Sequence, residues 1–402
     1  MHRKAIAVGE LQFGMYVAEL DRPWIGTPFA FQGFWLRTEQ QLAALRKFCK
    51  HVFVDTDRSE VLTLARAPSP QASVATPAFS LHGTAGYAGQ SDLVGEIQAA
   101  GELYSQTCGA LDGLLLPLEQ GATALDGSRL QRLVNGLADT VIRNPDALLL
   151  LSKVRQATTP AHARALQVSV YMMVFGRFLQ REPDEIYLLG LLGLLQDVGK
   201  ARLPVALLHR HGPLTAEESE LMKKHVELSA HIIGVTSGLP PKLPQLALLH
   251  HERQDGAGYP RGLRGYQIGL FGAIAAICDA YDVLLAPPPY GEGRSPSAAI
   301  GLLTKDRGSV FHGPLVEQFI RCMGAFPVGS AVELNSGEAG VVVGEHLMQR
   351  LTPKVLIFFD ARGKRLAEHR VVDLAASPDL RIRRTLEEGK LAFDARQLCL
   401  RR

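Results

Sequence analysis

Apolar residues recur at helical spacing through the middle of the chain, from about residue 128 to residue 325. Val168, Tyr171, Met172, Val174, Phe175 and Leu179 share one broad face, which predicts a helix lying on a core. Ile186–Leu195 is apolar nearly all round and predicts a helix buried on every side. Thr215-Ala216-Glu217-Glu218 has the spacing of a capping box and opens the next helix. Pro244 suits the first turn of a helix that carries Leu246 to His251, and Leu270–Leu285 predicts a further buried helix. Residues 92–125 also show helical spacing and are expected to pack on this unit.

The period shortens at both ends of the chain. Residues 1–62 alternate short apolar pieces with turns, such as Met15-Tyr16-Val17-Ala18, Phe34-Trp35-Leu36 and Val52-Phe53-Val54, around a helix over Glu39–Lys50. After Pro327, Ala331–Leu334, Gly340–Gly344 and Lys354–Asp360 read as strands joined by Asn335-Ser336-Gly337 and Ala361-Arg362-Gly363 turns. Residues 63–91 are rich in Ala, Ser, Pro, Gly and Thr without a period and read as a flexible linker. The expected organisation is an α+β domain over 1–62, a linker over 63–91, connecting helices over 92–127, a helical domain over 128–325 and a β-rich unit over 326–402. The fold class is mainly α, with small β-containing units at each end.

With 402 residues and 47% hydrophobic content, the chain can bury a large core in two or three domains. A net charge of +3 argues against a nucleic-acid partner. The five cysteines form no CxxC pair, which fits a reduced, cytoplasmic setting. The N-terminus lacks a signal-peptide core, and the apolar runs read as too short or too interrupted by charge to span a bilayer.

The richest chemistry lies in His250-His251-Glu252-Arg253-Gln254-Asp255-Gly256-Ala257-Gly258-Tyr259-Pro260. Adjacent imidazoles at a helix end can reach one metal ion, and the glycines that follow allow a sharp turn. This string resembles the HHExxDGxGYP signature of the HD-GYP family, metal-dependent phosphohydrolases associated with cyclic di-GMP signalling. Asp21-Arg22-Pro23-Trp24 through Phe31-Gln32-Gly33-Phe34 is similar to a domain of unknown function that often precedes HD-GYP domains. The resemblance implies an HD-superfamily helical bundle and a divalent metal centre of iron or manganese.

It also implies site residues, though not a full set. Asp197, His225, His250, His251 and Asp279 match metal ligands, and Asp197 and Lys200 match catalytic positions. Two ligand histidines are replaced. Arg164 stands at the first, and Gln196 stands where the family's His-Asp pair has its histidine. His162 is two residues from the first position, about 200° round a helix, so it is a poor substitute. A glutamine amide is a weaker ligand for these metals than imidazole. One metal position therefore keeps Asp197, His225, His250 and His251, while the other keeps only Asp197 and Asp279. One ion rather than two is expected, and none is the remaining alternative. Arg164 is expected between Asp197 and Asp279, neutralising both.

The substrate side departs too. The family's basic segment after the last aspartate is replaced here by Pro288, Gly291 and Glu292. That leaves Lys200, Tyr259 and Arg294 for substrate binding. The reading is a degenerate HD-GYP protein with a regulatory role, partnered by cyclic di-GMP and by a diguanylate cyclase domain or other signalling protein. The alternative is an active cyclic di-GMP phosphodiesterase, and a third reading is a phosphohydrolase for another small phosphate ester.

Overall fold

The computed structural model describes residues 3–22, 33–36, 39–55, 79–87, 93–153, 160–210, 212–286, 294–344, 346 and 351–386. The N-terminal unit is an antiparallel sheet of β1 (Arg3–Ala7), β2 (Tyr16–Leu20), β3 (Phe34–Trp35) and β4 (His51–Asp55), in the order β1-β4-β2-β3. With α1 (Glu39–Phe48) it encloses its own core, in which Val17, Leu36, Leu45, Val52 and Val54 are fully buried. β1 escapes the sequence pattern because Ile6 is the only one of its five residues that is buried. Trp24, Phe31 and Gln32, in the segment that carries the N-terminal resemblance, lie outside the described residues.

The chain is mainly helical beyond that unit. Its helices are α2 (Leu93–Glu119), α3 (Gly127–Arg143), α4 (Pro145–Lys153), α5 (Pro160–Phe178), α6 (Pro183–Leu195), α7 (Val205–Leu208), α8 (Ala216–Lys223), α9 (His225–Val235), α10 (Leu243–Ala247), α11 (Gly269–Leu285), α12 (Pro296–Lys305) and α13 (Gly313–Met323). α6 sits at the centre, with Ile186 and every residue from Leu188 to Leu195 buried. It starts where Pro183 fits a first turn and where the Glu185 carboxylate accepts from the Glu182 N–H at 3.3 Å. α8 is capped by Thr215, whose hydroxyl accepts from the Glu218 N–H at 3.2 Å while the Glu218 carboxylate accepts from the Thr215 N–H at 2.8 Å.

α5 and α6 form the closest helix pair. A Cβ on Gly193 would fall 2.6 Å from the Ser169 Cα, so only glycine permits this approach. The Ser169 hydroxyl then donates to the Gly190 carbonyl at 2.7 Å. The two helices run in opposite directions, so the level of Ser169 and Gly193 brings the start of α5, with Arg164, beside the end of α6 at Gln196-Asp197. α11 packs on α5 through an edge-on contact of Tyr281 with Tyr171 and on α13 through one with Phe319, at 5.3 and 5.1 Å between ring centres.

Residues 63–78 and 88–91 of the expected linker lie outside the described residues. Residues 79–87 run along the α5–α6 turn, where Gly83 N donates to Leu179 O at 2.8 Å and Tyr87 N to the Gln180 side chain at 2.7 Å. The segment Gly265–Leu285, which includes α11, is long and apolar enough to cross a membrane, contrary to the reading of its length; 72% of that apolar stretch is buried inside the protein.

The C-terminal sheet of β5 (Ala331–Leu334), β6 (Ala339–Gly344), β7 (Lys354–Phe359), β8 (Arg365–Asp373) and β9 (Ile382–Thr385) is antiparallel, in the order β8-β7-β6-β5-β9. Alternation divides its side chains between two cores. Val341, Val343, Leu356 and Phe358 join the helical core, while Val342, Val355 and Ile357 face a separate one with Val332 and Val372.

The α5–α6 contact gives a stability test. Gly193→Val should cost about 1–3 kcal/mol by forcing the helices apart, read as a lower urea midpoint. A variant as stable as the parent would show that the helices have room at this point.

Candidate metal centre

Four side chains from three separate segments converge at the end of α6. One ligand atom each of Asp197, His225, His250 and His251 lies within 4.8 Å of all the others. Asp197 follows α6 and begins the 3-10 turn Val198–Arg202. That turn is clamped to α9, because a Cβ on Gly199 would fall 2.2 Å from the His225 carbonyl oxygen, and Gly199 N donates to Ser229 Oγ at 2.8 Å. His225 is the first residue of α9, so this clamp sets Asp197 against it.

His250 and His251 come from the turn after α10. The helix predicted to run to His251 stops at Ala247, since the His250 ring takes the Ala247 carbonyl through Nδ1 at 2.9 Å. The following loop folds back tightly. Glu252 is buried and accepts from Arg261 N at 2.8 Å and Leu263 N at 2.9 Å. Tyr259 N donates to His251 O at 3.1 Å, and the Tyr259 ring stacks on His251 with centres 4.7 Å apart. A Cβ on Gly258 would fall 2.4 Å from Arg253 N, which explains the glycine there. The Lys223 ammonium lies 5.6 Å from the Tyr259 ring centre.

Tautomers decide what this cluster can hold. The Nδ1 atoms of His225 and His250 lie 2.6 Å from Met222 O and 2.9 Å from Ala247 O. A carbonyl only accepts, so both Nδ1 atoms carry a proton, and with one proton per ring both Nε2 atoms would present lone pairs. Those Nε2 atoms are 3.4 Å apart and lie 3.1 Å (His225) and 3.6 Å (His250) from Asp197 Oδ1. Asp197 Oδ1 is buried and has no hydrogen-bond donor. Lone pairs and a carboxylate oxygen facing one another without a proton repel, and a cation relieves that repulsion. The donor set of three imidazoles and one carboxylate suits iron, manganese or zinc. Carbonyl partners on the far ring nitrogens are also what metal-ligating histidines commonly have.

Lys200 Nζ lies 2.6 Å from Asp197 Oδ2. Burial raises the Asp197 pKa, but the Lys200 ammonium holds the carboxyl well below the usual carboxylate range.

The remaining site residues form a second group. Arg164 Nη2 donates to Asp279 Oδ1 at 2.9 Å, and its Nε lies 3.2 Å from Asp282 Oδ2. The guanidinium thus bridges Asp279 and Asp282, rather than Asp197 and Asp279 as expected. The two aspartates present one face of α11 at i,i+3 spacing, and that face meets the start of α5. Asp279 is not part of the four-residue cluster. Gln196 is 1% exposed, and neither its amide oxygen nor its amide nitrogen has a partner. His162 pairs with Asp112 at 2.6 Å instead of standing in for a ligand. Arg294 is exposed next to Ser295, which caps α12. Pro288, Gly291 and Glu292 lie outside the described residues.

Sequence reasoning missed three contributors: Asp282 as a second partner of Arg164, the carbonyls that orient His225 and His250, and Lys223 beside Tyr259. Two of them left a signal: Asp282 stands three residues after Asp279 on the same helix face, and Lys223 two positions before His225.

Residues 3–123 match a domain of unknown function (DUF3391), residues 150–315 an HD domain, and residues 331–393 a KOW domain associated with HD domain. The cyclic di-GMP phosphodiesterase PA4108 of Pseudomonas aeruginosa is 32% identical over 373 residues, covering 92% of this chain and 89% of its own. The cyclic di-GMP phosphodiesterase response regulator RpfG of Xanthomonas campestris pv. campestris is 35% identical over 142 residues, 34% of this chain and 37% of its own. A cyclic di-GMP phosphodiesterase of Thermotoga maritima is 34% identical over 128 residues, 32% of this chain and 35% of its own.

The cluster sets a pH dependence for the metal-free protein. Burial pushes the His251 imidazole down to about 2; His250 adds to the shift and Asp197 opposes it. The unfolded chain takes up this proton near pH 6.5, while the folded chain resists it. Folded stability from His251 is therefore full above pH 6.5 and declines as the pH falls from there towards 2. The slope is at most about 1.4 kcal/mol per pH unit. Asp197 acts in the same direction, but only below the ordinary carboxylate pKa. Urea titrations of chelated protein should show lower stability at pH 5 than at pH 7, and His251→Gln should shrink that difference. An undiminished difference in the variant would remove His251 as its source.

Proposed function

Since the chain belongs to the HD-GYP family, we propose that it is a cyclic di-GMP signalling protein that holds one divalent ion and binds the dinucleotide with lost or weak hydrolysis. Asp197, His225, His250 and His251 would hold the ion, iron or manganese. Bound there, it would supply Lewis-acid polarisation of a phosphate oxygen. The observation that carries the reading is the split of the site into two unequal halves. One half is a compact set of four donors. In the other, Asp279 is engaged by Arg164 and the neighbouring ligand position holds a glutamine amide.

The residues around the ion have defined work in this reading. Lys200, 2.6 Å from Asp197, keeps that carboxylate ionised and ready as a ligand. Tyr259 stacks on His251 and fixes its ring. Because Lys223 approaches the same ring, Tyr259 acts mainly by positioning His251 rather than by stacking on a base. Lys200 and the exposed Arg294 would meet substrate phosphates. The buried or half-buried free thiols of Cys49, Cys108, Cys278 and Cys322 suit a reducing, cytoplasmic compartment. A regulator needs a partner; the family resemblance implies a diguanylate cyclase domain, and the loop around the exposed Tyr266 offers a surface for it.

The alternative, an active phosphodiesterase, draws support from the 32% identity to the Pseudomonas enzyme over nearly the whole chain. Protein purified without oxygen and loaded with iron or manganese separates the two. We expect about one ion per chain and no linear dinucleotide or GMP above the metal-free control. Turnover that His250→Ala abolishes would establish the enzyme reading instead.

A further inference from the structure

We infer that Arg164 is a built-in anion-binding group beside the metal cluster, whose guanidinium contacts a phosphate oxygen of the bound phosphodiester. The inference rests on the one-ion reading above and adds the group that recognises the ligand's charge.

The guanidinium is held like a tool in a vice. Nη2 donates to Asp279 at 2.9 Å, and Nε lies 3.2 Å from Asp282 in an ion pair without a hydrogen bond, so the cation is paired with two carboxylates. The two aspartate side chains are 8% and 12% exposed, while the Arg164 side chain remains 32% exposed. Nη1 makes no hydrogen bond among the described residues and is not among the buried unpartnered atoms, so solvent reaches it. A planar cation held by one hydrogen bond and a second ion pair, and open at Nη1, loses little freedom when an oxyanion docks there.

Its place and the local charge point the same way. The antiparallel packing of α5 on α6 sets Arg164 level with Asp197, the carboxylate that faces the three imidazoles. Gln196, next to Asp197, adds a buried amide whose two polar atoms have no protein partner. Asp197, Asp279 and Asp282 oppose Lys200 and Arg164, leaving one negative charge with the histidines neutral. A divalent ion reverses that to one positive charge, which attracts a phosphodiester. A second ion would have to displace the guanidinium from both aspartates.

Manganese-loaded protein titrated calorimetrically with inorganic phosphate, and separately with cyclic di-GMP, tests the inference. Arg164→Gln should weaken both ligands about tenfold or more, the loss of a charge-assisted contact, while manganese stays at one per chain. If that variant fails to fold because Asp279 is left unpaired, Arg164→Gln with Asp279→Asn removes the cation and its partner together and should show the same loss. Unchanged affinity in a folded variant overturns the inference. So does a variant that gains a second manganese and keeps its affinity, which would make Arg164 a plug only. Failure of the parent to bind either ligand also overturns it. Hydrolysis by the parent would instead remove only the low-turnover reading, because the affinity comparison stands without it.

Discussion

The close antiparallel approach of α5 and α6 is the constraint on which the site depends. Without a side chain at Gly193, the backbone of α5 at Ser169 comes within contact of α6. The register that follows brings the start of one helix to the end of the other. It delivers a cation, Arg164, beside an anion, Asp197, with α11 supplying two further carboxylates. The polar groups at this junction are partly buried, so their charges act through a medium less polar than water and their balance matters more. Ion pairing, rather than hydrogen-bond saturation, is what the arrangement provides: Gln196 and Asp197 Oδ1 stay without hydrogen-bond partners while the ion pairs close around them.

The donors themselves sit where helices begin or end. Asp197 follows α6, His225 opens α9, and His250 and His251 follow α10. At such places the backbone is free to turn, and neighbouring carbonyls are free to fix a ring. Met222 and Ala247 do this for His225 and His250 and thereby choose which ring nitrogen faces the centre. Histidines on one straight helix would have to be spaced a turn apart to do the same.

Much of this was legible in the sequence, and the parts that were not share a cause. The buried helices could be read because most residues of α6 and α11 are buried in the core. The strands β6 and β7 could be read because their alternate residues enter two apolar cores, and β5 because Val332 and Leu334 enter one. β8 has one buried residue in nine and β9 has none, so neither carries an alternating signal. The His250–Pro260 string showed the paired donors but not where α10 stops, since that depends on a ring taking a backbone carbonyl. Arg164 could be assigned to a ligand position and Asp282 to the face of Asp279, yet Asp282 could not be read as the second partner. That partner, Asp282, is set by how α11 crosses α5, and the crossing is a property of packed aromatic rings far along the chain.

A metal ion and a guanidinium are not equivalent cations. Both can neutralise carboxylates and attract a phosphate, but only the metal lowers the pKa of a bound water enough to make a nucleophile at neutral pH. On the reading proposed here, exchanging one ion for Arg164 removes part of the machinery for hydrolysis while keeping the charge that recognises the ligand. Arginine also stays protonated across the physiological range and needs no metal supply. Its charge is fixed by covalent structure, so ligand recognition depends less on how much metal is present. On that reading the site would report the concentration of a phosphodiester rather than consume it, and the same substitution at the start of α5 would account for both properties.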